Sequence, residues 1–227
     1  MKTIIWMLIG GAVGFFGMYA VLTADIKLEF APVAFEMNIA LLAITAVLLI
    51  TAAVSIVQMK KKSKLYLTGE KEDKRDVWQY KRFSDTSLIV TAAMAVGISA
   101  IAIAIITDQP SWLMISSIII GALTFILSIT LSSIVNSLYP DRELPDVSAK
   151  DYSQKLLAVS DEGERHVMLE GLYRAFNTMN LILILTLLLL IIYSAVTGDS
   201  QLFSIFIIGM ILIGTNAQYL FAIRNKT

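Results

Sequence analysis

Cysteine is absent from this 227-residue chain, and histidine occurs once, as His166. Without cysteine there can be no disulfide, no thiol nucleophile and no thiolate-held metal. A single histidine with Glu162, Glu164 and Glu170 as neighbours is a poor ligand set for zinc, which favours several nitrogen or sulfur donors. No nucleophile–base pattern, P-loop or dinucleotide fingerprint occurs either. The expectation is therefore a non-enzymatic protein with no catalytic, cofactor-binding or metal site.

Charge is also missing, from the middle of six long apolar runs at about 4–24, 37–59, 87–107, 112–135, 179–197 and 202–223. Hydrophobic residues make up 57% of the chain and charged residues 16%, more apolar matter than one soluble core of this size can hide. About 20 apolar residues in a helix cross the ~30 Å hydrocarbon layer. Lipid offers no water to unpaired backbone groups, so runs of this length are read as helices, not as barrel strands. The first run exceeds the apolar core of a signal peptide and lacks a clear cleavage site, so it is read as retained.

What charge there is lies asymmetrically. With the N-terminus inside, 17 of the 18 Lys and Arg residues fall on the inner side and only Lys27 outside, which predicts that both termini are cytoplasmic. The outer connections "TDQPS" and "TGDSQ" are turn formers, so segments three and four, and five and six, should make antiparallel hairpins. Little mass projects outward, which excludes an external receptor or enzyme domain. The inner stretches are larger: 60–86 carries nine bases and five acids, and 136–178 five bases and eight acids. Their opposite signs predict docking on each other or on a partner; the plainer reading is two solvated charged stretches.

A phrase recurs at the inner boundary. "YKRFSDTSLIV" at 80–90 returns as "YRAFNTMNLIL" at 173–183, each just before a hairpin, and Gly121 and Gly209 follow in similar places. This is the pattern of a degenerate parallel repeat. Tyr80 and Tyr173 with Lys81, Arg82 and Arg174 suit an interfacial anchor, with aromatic bodies in lipid and charges toward headgroups. A functional reading makes Ser84, Ser87, Asn177 and Asn180 a polar ring at the inner mouth of the bundle.

Around this boundary lie the candidate contact residues. Lys60, Lys61 and Lys62 belong to "MKKKSK", which suits anionic membrane lipids; without stacking aromatics or a binding motif, nucleic acid is not expected as a direct partner. Met168, Leu169, Leu172, Tyr173 and Phe176 recur at the spacing of one helical face, which leads without a breaker into segment five as one long helix. Pro140 and Pro145 interrupt the chain after segment four, and Ser148 or Asp161 could cap helices beyond them. In segment one, Gly10, Gly14 and Gly17 form a small-residue face that lets helices approach closely, within the chain or between copies. Intramembrane polar residues such as Asn136, Asn180, Asn216 and Gln218 are placed near the cytoplasmic ends, and no ionisable residue lies at mid-membrane as ion coupling requires.

The stretch "DEGERHVMLEGLYRAFNTMN", followed by segment five, a tight turn and segment six, resembles an uncharacterised domain-of-unknown-function family of six-helix integral membrane proteins of Gram-positive bacteria. The resemblance covers nearly the whole chain. It carries over no catalytic residue and implies genes that neighbour small DNA-binding regulators or transporter components. The expected fold is an all-α membrane protein of six transmembrane helices in hairpins, with cytoplasmic amphipathic helices. The expected role is a regulatory or accessory partner in the bacterial cell membrane, contacting lipid and a cytoplasmic regulator or transporter component through Lys60, Lys61, Lys62, Arg82, Met168, Leu172, Arg174 and Phe176. The rival is a small transporter or permease subunit without ion coupling.

Overall fold

The computed structural model describes residues 31–65, 67–138 and 152–224. The first apolar segment with Gly10, Gly14 and Gly17, together with Pro140, Pro145 and Ser148, lies outside them, as do the side chains of 135–137. Among the described residues every regular element is helical. A 3-10 turn, Ala31–Val33, leads into α1 (Ala34–Ser63); α2 is Glu70–Ile106, α3 Ser111–Leu138, α4 Tyr152–Val159, α5 Glu162–Thr197 and α6 Leu202–Arg224. Five of these, all but α4, are long and apolar enough to cross a membrane.

The described parts of the charged stretches 60–86 and 136–178 are mostly helix, as the helical face at 168–176 predicts for the second. α1 runs through its three lysines to Ser63, and α2 begins at Glu70. Gly69, with φ +61, opens α2: its carbonyl accepts from the N–H groups of Glu72 and Asp73 at 2.8 and 3.2 Å. Glu70, Glu72 and Asp73 place negative charge at that N-terminus, and Lys60, Lys61 and Lys62 place positive charge at the C-terminus of α1, both favourable to the helix dipoles. α2 has 37 residues and α5 has 36, about 55 Å each against a ~30 Å hydrocarbon layer. With the apolar runs beginning at about 87 and 179, residues 70–86 and 162–178 are the charged beginnings of these two helices. That α5 should be one long helix is borne out.

The two turns are short, as "TDQPS" and "TGDSQ" suggest. Ile106 ends α2, and Thr107 returns both its N–H and its hydroxyl to the Ile103 carbonyl, at 3.0 and 2.7 Å. Asp108 takes a positive φ of 46°, and Pro110 offers its carbonyl to Leu113 and Met114. At the other turn Gly198 has φ +77, and the Thr197 hydroxyl bonds the Tyr193 carbonyl.

The chain divides into two compact units, with the division at Asp161–Glu162. In the first, α1, α2 and α3 pack against each other pairwise. On α2 and α3 the inward positions, buried or partly buried, alternate by three and four residues. On α2 these are Gln79, Phe83, Thr86, Val90, Ala93, Gly97, Ala100 and Ala104. On α3 they are Leu113, Ser117, Ile120, Thr124, Leu127, Leu131, Ile134 and Leu138. A seven-residue repeat of inward positions is the signature of left-handed, coiled-coil-like packing.

Small and hydroxyl residues share the inward positions with Leu42, Ile56, Leu113, Leu131 and Ile134, while Val47, Ile50, Ile106, Ile118 and Phe125 face outward. Lipid tails are as apolar as leucine, so bulky apolar groups gain little from facing inward, and close packing of small residues decides the contact. At the centre, a Cβ on Gly97 would lie 3.7 to 3.9 Å from Thr45, Thr124 and the Gly121 Cα.

In the second unit α5 packs on α6, and no residue of either helix is buried. Asn216 donates to Asn180 at 2.8 Å, and the Phe176 and Tyr219 rings lie 4.7 Å apart. These contacts lie at the end of the hairpin away from the Gly198 turn. Gly209 and Gly214 meet nothing within 4 Å of a would-be Cβ, whereas Gly121 meets the Ile101 Cδ1 at 2.6 Å. The glycines that sequence position equates thus have different surroundings.

Candidate functional site

The corner where α1 gives way to α2 concentrates the unusual chemistry of the first unit. α1 and α2 run antiparallel there, so successive turns of one meet successive turns of the other. The Lys62 ammonium lies 3.7 Å from the centre of the Trp78 ring, a cation–π contact. One turn further, an Arg82 terminal nitrogen donates to the Gln58 amide oxygen at 2.9 Å. Arg75, with 16% of its side chain exposed, donates to the Leu65 carbonyl at 3.0 Å and pairs with Glu72 and Asp76. Arg75 thereby fastens the connection after α1 onto α2.

Charge at this corner is unbalanced. Lys74 takes Glu70, and Arg75 takes Glu72 and Asp76. Among the described residues, Lys60, Lys61, Lys62, Lys81 and Arg82 have no carboxylate partner. Beside them Gln79 is fully buried, and neither its amide nitrogen nor its amide oxygen has a hydrogen-bond partner. The Arg82 Nε is likewise buried and unpartnered. Gln79 and Arg82 are three residues apart on one helix, hence neighbours on its surface.

A second polar group lies at the other end of the same seam. Asn38 and Ser117 are fully buried; the Ser117 hydroxyl reaches Asn38 Oδ1 at 3.5 Å and its own helix at the Leu113 carbonyl at 2.9 Å, while Asn38 Nδ2 is unpartnered. Phe35 and Trp112 meet edge to face nearby at 6.2 Å. Asn38, Thr45, Ser55, Gln79, Thr86, Ser117 and Thr124 are all buried. The expectation that intramembrane polar groups collect near the cytoplasmic ends is thus corrected: buried polar positions run the length of the seam.

The candidate contact residues separate into two sets. Lys62, Arg82 and Phe176 are engaged internally, on Trp78, Gln58 and Tyr219. Arg174 pairs with Glu170 on its own helix. Lys60, Lys61 and Leu172 are exposed, and Met168 is half-buried. In the recurring phrase both tyrosines face out, Tyr80 at 64% and Tyr173 at 58%. Both phenylalanines pack inside their units, Phe83 against the Met59–Val90–Leu138 cluster and Phe176 against Tyr219. Of the proposed polar ring, Ser84 and Asn177 are exposed, Ser87 bonds the Phe83 carbonyl and Asn180 accepts from Asn216.

Sequence reading missed Gln79, Arg75 and Asn38. The signal that finds Gln79 is the three-four spacing of inward positions on α2, and Asn38 stands four residues from the buried Ala34 and Leu42 on either side. Arg75 carries no such signal, because its partner is a main-chain carbonyl.

Long apolar helices that turn many bulky apolar residues outward define this chain as an all-α membrane protein. It matches the family described as Protein of unknown function (DUF3169) over residues 1–223, and it belongs to that family. No curated protein and no solved structure matches it.

Proposed function

We propose that this chain is a non-enzymatic, multi-pass protein of the bacterial cell membrane, with six transmembrane helices and both termini cytoplasmic. It works as a regulatory or accessory partner through the charged helical extensions on its inner side. The distribution of Lys and Arg supports the orientation, and the charged helix beginnings 70–86 and 162–178, each ahead of a tightly turned hairpin, support a degenerate parallel repeat.

The observation that carries the role is the 162–178 extension. Val167, Leu169, Leu172 and Tyr173 are each more than half exposed, on a stretch that the length of α5 carries beyond the hydrocarbon. Apolar groups exposed among charges on a rigid helix are suited to contact with another protein. The occupant is a cytoplasmic regulator or a transporter component. The rival, a passive permease, requires a polar route through the bundle; the polar seam of the first unit is instead closed around Gly97 by Thr45 and Thr124, and most of its hydroxyls bond their own helix.

In-cell photocrosslinking from Leu172, with the lipid-facing Ile191 as reference, tests the reading. A protein captured at Leu172, absent at Ile191, and lost when Leu169 is changed to Glu is the expected result. Capture of lipid alone at both positions, or substrate flux in liposomes of the purified chain, overturns it.

A further inference from the structure

The α1–α2 corner holds more hydrogen-bonding capacity than the chain itself uses. A buried amide with neither end bonded is destabilising, since it has left water without a replacement partner. Gln79 is in that condition at both its nitrogen and its oxygen, and Arg82 at Nε. A leucine at position 79 would continue the seam of Phe83, Val90 and Ala93 without that penalty. The same corner carries four further cations without carboxylates, Lys60, Lys61, Lys62 and Lys81. All lie at the level where α2 passes from charged to apolar residues, which is the level of lipid headgroups.

We infer that this corner is a binding site for a phosphate group, as carried by the headgroup of an anionic phospholipid. The Arg82 guanidinium has one nitrogen on Gln58 and its Nε unused, and a guanidinium fork suits phosphate oxygens. The Gln79 amide nitrogen supplies a neutral donor beside it, and its oxygen accepts from a protonated headgroup hydroxyl such as that of glycerol. Lys60, Lys61 and Lys81 provide the field that draws an anion to the inner leaflet. Lys62 is held on the Trp78 ring. This assignment does not depend on the proposed protein partner.

The test uses the full-length chain in neutral detergent, with thermal unfolding followed by helical circular dichroism. Phosphatidylglycerol should raise the midpoint by several degrees and saturate near equimolar ratio, while phosphatidylcholine should not. Arg82→Gln should lose most of that increment and Lys71→Gln, which removes an exposed charge from the same helix, should keep it. Gln79→Leu separates a ligand role from a structural one: it should raise the lipid-free midpoint and diminish the phosphatidylglycerol increment, and it remains informative if Arg82→Gln does not fold. Inorganic phosphate reproducing the increment would support the same site with a soluble phosphate as its source. Equal effects of the two lipids, equal losses in Arg82→Gln and Lys71→Gln, or a Gln79→Leu chain that is less stable yet keeps its full increment would overturn the assignment.

Discussion

Gly97 shows how a single residue sets the geometry of the first unit. Its missing side chain lets α2 approach both neighbours, and a modest Cβ fits: the nearest atoms are 3.7 Å away or further. Gly97→Ala should therefore leave the unfolding midpoint unchanged or slightly higher, since alanine favours helix by up to ~1 kcal/mol. Gly97→Leu forces a branched group into the Gly121 backbone and should destabilise by about 1–3 kcal/mol, the usual cost of overpacking. Thermal unfolding of the two variants in one detergent checks the pair; equal behaviour would mean that the crossing is not close. Gly121 differs, because a Cβ there meets only the flexible end of Ile101, which can rotate away.

At the scale of helices, the α5–α6 hairpin depends on few contacts, so each should weigh heavily. The Asn216 amide donates to Asn180 and also to the Leu212 carbonyl, each at 2.8 Å. Interhelical hydrogen bonds in membrane proteins contribute about 0.6–2 kcal/mol. A double-mutant cycle with Asn180→Leu and Asn216→Leu should return a coupling energy in that range, read from unfolding midpoints; a value near zero would leave the Phe176–Tyr219 stack as the principal clasp. The three-helix unit is built on the opposite principle. Its close contacts are many and are spread over α1, α2 and α3, so no one hydroxyl there should matter as much as Asn216.

For the whole molecule, orientation is the property with the sharpest consequence. The chain has no cysteine, so single cysteines introduced by substitution report their side of the membrane without background. Lys64→Cys and Gly163→Cys should be shielded from an impermeant thiol reagent added to intact cells, and Gln109→Cys and Asp199→Cys labelled by it. The reverse pattern would invert the topology and place the charged extensions, and the contacts proposed for them, on the outer side.

Much of the architecture was legible because it follows from solvent alone. Apolar runs of about 20 residues must be helices in lipid, short turn-forming connections make hairpins, and the absence of a breaker between Asp161 and Thr197 makes α5 continuous. The inward faces were not legible from hydropathy, because in a bilayer both faces of a helix are apolar and the amphipathic contrast disappears. The face is instead chosen by fit, and fit between α1, α2 and α3 exists only once the helices are together. The same reason hid the corner. Lys62 and Arg82 read as free surface charges until Trp78 and Gln58 are set opposite them, and Gln79 reads as one more polar residue of a charged stretch until packing removes it from water. The sequence alone determined that this chain crosses the membrane as helices; the tertiary structure decided which side chains those helices enclose, because enclosure depends on close contact between helices that the sequence does not place side by side.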